Sequence, residues 1–369
     1  MKNEKPYPPQ YYHDYLGLDK LLNSQELKSD EYGQHAHDEM LFIIIHQVYE
    51  LWFKQIIYEL DSILDIFSDD DVVESNIGTS ISRLNRIIEI QKILVDQVRV
   101  LETMTPMDFL DFRDFLIPAS GFQSIQFRKI ENKLGLLSKN RYSYGGANYK
   151  SYLSKTDNSE VKESETENTL FVLIENWLER TPFLDWGETS FWKEYESAVI
   201  NMLSDDRTLI ETNNKLSEKE KKKYLDEYKK TEASFGVVLN ETEHAKMVKN
   251  GSWRLSYKAT QAALLILLYR DQPILHNPYL LITKLADVDE LFTTWRYRHV
   301  LMVSRMIGKK IGTGGSTGSS YLSESAQKHR VFSDLSELTT FLIPRSTLPE
   351  LPREIKDELN FYFNVRKDK

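Results

Sequence analysis

An all-α fold is predicted for this chain of 369 residues, and three observations predict it. Apolar residues recur at three- and four-residue intervals through most of its length. Almost no stretch alternates strictly enough to suggest a strand. No internal repeat is present, so a solenoid is not expected. The length supports one large core, read here as a single domain, 1–369, carrying a polar loop at about 138–168 and a charged helical insertion at about 204–250.

Composition narrows the function. A formal charge of −9 without any basic stripe argues against nucleic acid as a partner. There is no cysteine, which removes disulfides, thiolate chemistry and cysteine-ligated metals or haem. The opening MKNEKPYPPQYY has no apolar signal region. The longest apolar runs, 41–45 and 262–268, are too short to cross a bilayer. A cytoplasmic protein with no membrane partner is expected. The 20 Tyr, 17 Phe and 6 Trp suit thick helical cores, and they would also suit a planar ligand.

In chain order, residues 1–10 are Pro-rich and extended. The pattern at 11–27 predicts a short amphipathic helix with Tyr12, Tyr15 and Leu16 close in space, able to fold onto its own core or to reach a neighbouring subunit. In HAHDE, 35–39, His35 and His37 resemble a metal pair. Asp38 and Glu39, however, stand where a helix should begin, and acids there favour the positive end of its dipole. Capping is the preferred reading.

LFIIIHQVYELWFKQIIYE, 41–59, is the most informative stretch. It is apolar enough to predict a helix buried on nearly all sides. His46 stands in its middle, with Phe42 one turn before and Phe53 two turns after. A buried imidazole needs partners for both ring nitrogens. A backbone carbonyl in the core would serve, and so would a polar ligand in an apolar pocket. After an acidic SDDD turn, an amphipathic helix is predicted over 77–103. Thr105-Pro106 then opens MDFLDFRDFL, a helix that Pro118 ends. Phe109 and Arg113 share one face of it. An arginine among phenylalanines must meet an anion, either an internal acid or a ligand carboxylate. The small residues of ASGFQS allow close backbone approach.

Residues 138–168 read as a polar loop, followed by a helix at 169–178 that WLERTPF closes at Pro182. Residues 204–232 read as a solvated helix with i,i+4 ion pairs. A buried helix is predicted at 257–270 and another at 288–308. The second carries His299, with Trp295 one turn before it, and so repeats the question that His46 raises. GTGGSTG, 312–318, fits neither phosphate-loop template. It offers free backbone N–H groups and close approach at Thr313, or else it is a flexible connector. PRSTLPELPRE near the C-terminus reads as an exposed tail.

Taken together, HDEMLFIIIHQVYELWFKQI, LDFRDFLIPASGFQSIQFRKIENKLG, WRYRHVLMVSRMIG and GTGGSTG resemble tryptophan 2,3-dioxygenases in order and approximate spacing. WLERTPF and RLSYKATQAALL extend the similarity from Tyr12 to about Pro344, closest to the animal-like branch. The resemblance implies a helical haem-binding bundle of the tryptophan/indoleamine 2,3-dioxygenase type, with an N-terminal segment (about 1–30) exchanged between the subunits of a homotetramer. It implies haem b, ferrous when active, and insertion of both atoms of O2 across the indole C2–C3 bond of L-tryptophan to give N-formylkynurenine. His299 would be the axial ligand of the haem iron, and Ser120, Trp295 and Gly314 would lie against the haem. His46 would hydrogen-bond the indole N–H as the catalytic-site histidine. Phe42 and Phe109 would line the pocket; bacterial relatives often carry tyrosine at the latter position. Arg113 would clamp the substrate carboxylate and Thr313 would contact the amino-acid moiety. Tyr12, Tyr15 and Leu16 would be lent to a neighbour's site. Trp177 and Arg180 resemble part of a secondary tryptophan site.

Other readings are weaker. A relative acting on simpler indoles would have less use for Arg113 and Thr313. A helical di-iron oxygenase needs two Glu-x-x-His motifs, whereas this chain offers Glu241–His244 in a polar setting and Glu31–His35 at the wrong spacing. A non-enzymatic haem-binding or helical interaction protein would lack turnover.

Overall fold

A computed structural model describes residues 7–136, 141, 153–313 and 328–361. Its regular elements are helical; among the described residues the only β-type pairing is an isolated bridge between Asp185 and Ser190. The N-terminal arm carries α1 (Tyr12–Leu16), α2 (Leu18–Leu22) and α3 (Lys28–Glu31). The helix predicted at 11–27 is thus broken. Gly17 adopts φ +60°, a left-handed conformation open to glycine, and ends α1 there.

Then come α4 (Glu39–Ser68), α5 (Glu74–Leu101), α6 (Pro106–Arg113) and α7 (Ile125–Leu134). Helix α6 begins in a capping box, with the Thr105 hydroxyl accepting from the Asp108 N–H and the Asp108 carboxylate accepting from the Thr105 N–H. It stops at Arg113, short of Pro118, and a 3₁₀ turn at Asp114–Leu116 follows. Part of the region predicted as loop is helical: α8 spans Lys155–Ser164 and Ser154 caps it. Next are α9 (Leu170–Glu179), α10 (Phe191–Thr212), α11 (Glu218–Leu239) and α12 (Glu241–Asn250). The charged stretch is therefore two helices that break at 213–217.

The apolar α13 (Tyr257–Leu268) precedes α14 (Pro273–Ile307). Helix α14 starts a full fifteen residues before the predicted 288, since Pro273 sits at its first position and Pro278 costs only one early backbone bond. Two short helices, α15 (Ser333–Glu337) and α16 (Arg353–Leu359), close the chain. The predicted exposed tail is packed: Ile343, Leu351 and Leu359 are buried, and Pro349 accepts the Tyr269 hydroxyl.

Helix α14 lies along α5, α4 lies against α5 and α7, and α13 lies on α9. One continuous apolar core joins these helices, and each fully buried Leu or Ile in it contributes about 1.5–3 kcal/mol. Polar ties set the register. Tyr49 on α4 donates to the Leu94 carbonyl of α5, and Gln91 on α5 donates to the Val288 carbonyl of α14. Gly135 ends α7 at φ +112°; a Cβ there would lie 2.8 Å from that of Phe171, so only glycine lets α9 approach.

The prediction that the 41–59 helix is buried on nearly all sides is corrected. Ile44, Leu51 and Tyr58 are 43%, 50% and 72% exposed, and their seven-residue spacing makes one apolar stripe. By length and composition α4 would suffice to cross a membrane, but its opposite face is packed into the core. The capping expected of Asp38 and Glu39 is also different. Asp38 makes no side-chain cap bond. Glu39 instead accepts the Lys28 and Ser29 N–H groups, capping α3 and tying the arm to α4.

Candidate active site

The C-terminal half of α14, α4, α6 and α7 enclose a cavity of about 280 Å3. Six of the residues singled out from the sequence line it together: Phe42, His46, Phe109, Arg113, Trp295 and His299. Ser120 and Thr313 join them at its edge.

Helix α4 supplies an aromatic wall. The Phe42 ring centre is 4.1 Å from that of His46, 5.8 Å from Phe109 and 5.5 Å from Phe112. His46 Nδ1 lies 2.6 Å from the Phe42 carbonyl oxygen. A carbonyl can only accept, so Nδ1 carries the proton and Nε2 is left with a bare lone pair. Of the two sequence readings of His46, the backbone carbonyl is present on one nitrogen, and the ring surface lines the cavity. Burial lowers its pKa, against smaller opposing effects of the Phe42 carbonyl and Glu50.

His299 enters from α14. Neither of its ring nitrogens has a hydrogen-bond partner among the described residues. Burial and the neighbouring His46 push its pKa down to about 4, so at neutral pH it is an uncharged imidazole with a free lone pair, the form that binds a metal. Trp295, one turn earlier, packs at 5.1 Å on Phe127 and 5.5 Å on His299. Its indole N–H is buried and, among the described residues, makes no well-formed hydrogen bond, with the Tyr49 hydroxyl nearby, so an acceptor arriving in the cavity would complete it.

Among the described residues Arg113 meets no buried acid. One nitrogen donates to the Ile311 carbonyl, the Asp114 carboxylate is 3.7 Å away but 82% exposed, and Nε has no partner among those residues. Its tie to Ile311 also holds Gly312 and Thr313 at the cavity edge. Ser120 caps the turn Gly121–Gln123, its hydroxyl accepting the Phe122 N–H.

Other predicted residues stand elsewhere. Tyr12, Tyr15 and Leu16 project from the arm, 74%, 75% and 44% exposed, and none lines the cavity. Gly314 lies outside the described residues. Trp177 packs edge-on against Phe67, and Arg180 is 3.8 Å from Asp70. His35 pairs with Asp30 at 2.7 Å. Among the described residues no group of three His, Asp or Glu could hold a metal ion, and His244 faces Thr260 rather than a carboxylate cluster. Sequence reasoning missed Arg128, Glu131, Arg296 and His329, which also line the cavity. The available signal was a charged i,i+3 pair, Arg128 and Glu131, within an otherwise apolar helix face.

The family model described as tryptophan 2,3-dioxygenase matches residues 3–342. A tryptophan 2,3-dioxygenase of Bdellovibrio bacteriovorus is 52% identical over 97% of this chain and 99% of its own length. That of Dictyostelium discoideum is 48% identical over 96% and 89%, and that of Mus musculus 45% over 92% and 84%. With a match of this extent on both chains, and two histidines facing one apolar cavity, the chain belongs to the tryptophan 2,3-dioxygenase family.

Proposed function

We propose that this protein is a haem-dependent dioxygenase that converts L-tryptophan and O2 to N-formylkynurenine, the first step of the kynurenine pathway. The observation that carries the proposal is the pair of imidazoles. His299 presents an unpartnered neutral ring, and His46 presents a bare Nε2, to the same cavity from different helices.

The chain's own chemistry fits haem b. With no cysteine present, a histidine would hold the haem iron, and His299 is the candidate. The buried Trp295 N–H and the Ser120 edge are suited to the polar rim of such a group, and the aromatic walls to its faces. Bound there in the ferrous state, haem supplies the iron at which O2 is activated for insertion across the indole C2–C3 bond.

The remaining roles are positional. His46 Nε2 accepts the indole N–H and fixes the ring's orientation. Arg113 exchanges its carbonyl contact for the substrate carboxylate, a two-pronged match that a lysine cannot make. Thr313, at the cavity edge, meets the amino-acid end. Phe42 and Phe109 exclude water from the indole and strengthen both polar contacts. Tryptophan rather than a simpler indole is favoured because an indole alone would leave Arg113 unanswered.

The chain is taken as one domain that assembles as a homotetramer in the cytoplasm. Support comes from the exposed apolar stripe on α4, a second on α5 at Ile93 and Val100, and the exposed Tyr12, Tyr15 and Leu16 on an arm anchored at Glu39. An arm of that kind is suited to exchange with a neighbouring subunit, and surface of this apolarity to burial in an interface.

The test is turnover. Protein reconstituted with haemin, reduced without oxygen and then given L-tryptophan and O2 should produce N-formylkynurenine. Haem loading without product would reduce the protein to a haem-binding sensor.

A further inference from the structure

Glu131 is a buried carboxylate with no part in the chemistry above, and it sits where separate segments converge. It belongs to α7, is 3% exposed and reaches the cavity wall. Its Oε2 accepts from Arg128 Nη1 at 2.9 Å and from Arg141 Nη1 at 2.5 Å. Its Oε1 accepts from Arg296 Nη2 at 3.0 Å and lies 3.3 Å from His329 Nδ1. Burial alone would raise its pKa, but the guanidiniums of Arg141 and Arg128, with the His329 ring, hold it well below the usual carboxylate range.

Arg296 gives this cluster its bearing on the site. It follows Trp295 directly and precedes His299 by three residues on α14. Its second nitrogen donates to the His329 carbonyl at 3.0 Å, so both ends of its fork are fixed. Successive residues on a helix are rotated by about 100°. Anchoring Arg296 towards α7 therefore sets the angle at which Trp295 and His299 point. A ring atom roughly 6 Å from the helix axis moves about 1 Å when the helix turns by roughly 10°, and a working ligand must be held to about 0.5 Å.

The cluster and the cavity wall are also continuous. The Arg296 guanidinium carbon is 5.8 Å from the centre of the Phe127 ring on which Trp295 packs. Buried ion clusters are a weak source of stability because desolvation offsets their attraction; what they do provide is fixed geometry.

We propose that Glu131 is a positioning residue that acts through Arg296 to set the rotation of α14 and so direct His299 and Trp295 into the cavity. The proposal rests on His299 being the haem ligand. Full-length Glu131→Gln and Glu131→Asp are reconstituted with haemin, and two readouts are followed: the ferrous-haem spectrum and the rate of haemin release to an excess of a scavenger apoprotein. Glu131→Gln should release haemin at least tenfold faster and show a mixed ligation spectrum, and Glu131→Asp should recover part of both. A Glu131→Gln protein with native spectrum and release rate, altered only in melting temperature, would overturn it. If Glu131→Gln does not fold, Arg296→Lys decides on the same readouts: faster release supports the proposal, and native behaviour overturns it. Failure of both proteins to fold also overturns it, since positioning must be separable from folding. An unsubstituted protein that takes up no haemin is a different result, and it removes the haem reading itself.

Discussion

His46 uses one ring nitrogen on its own helix and keeps the other for the cavity, and this division predicts how the residue behaves when removed. A positioning acceptor contributes one hydrogen bond, worth about 0.5–1.5 kcal/mol. His46→Ala should therefore lower kcat/KM by roughly two- to twelvefold with haem content unchanged; complete loss of turnover at full haem occupancy would instead make it an indispensable base. Arg113 is more costly to lose. Arg113→Leu should weaken L-tryptophan capture by about 2–5 kcal/mol, the range for a desolvated charge pair, and an unchanged KM would remove Arg113 from this role. Both residues were legible in the sequence, since a histidine or arginine among phenylalanines must find a polar partner. The partner of Arg113 was not. The Ile311 carbonyl that holds Arg113 is 198 positions away, and no local pattern reports such a contact.

Helix α4 shows what periodicity reveals and what it hides. Its existence and length follow from a long apolar run, but a run apolar on every side does not say which side faces the core. The core face is set by α5 and α7, and the stripe at Ile44, Leu51 and Tyr58 is left outside. Leu51→Lys on that stripe should reduce the proposed tetramer to smaller species in sedimentation while the far-ultraviolet circular dichroism stays helical. A tetramer that survives Leu51→Lys would mean that this stripe is not an interface. The start of α14 was hidden for another reason. Pro273 occupies the first helical position, where its missing N–H is not needed, whereas Pro278 lies inside the helix and gives up one backbone bond.

For the whole molecule, the fold class was readable from periodicity and the family from four short motifs, whereas the Glu131 cluster was not, because it draws on α7, α14, Arg141 and His329 together. Packing around a buried histidine should also make the fold sensitive to acid. Burial lowers the pKa of His244, which is packed against Thr260 and the rings of Trp253 and Tyr257. The unfolded chain then binds the proton first, so stability is lost as pH falls below the ordinary histidine value of 6.5. His244→Gln should flatten that loss, seen as a smaller difference between urea midpoints at pH values on either side of it; an unchanged difference would place the acid sensitivity elsewhere. The account as a whole depends on α14 offering an imidazole to iron. The most direct measurement is the ferrous-haem absorption spectrum of the reconstituted native protein beside that of His299→Ala. The native spectrum should show histidine ligation that is lost in His299→Ala and restored by added imidazole. An identical spectrum from the two proteins would contradict the account.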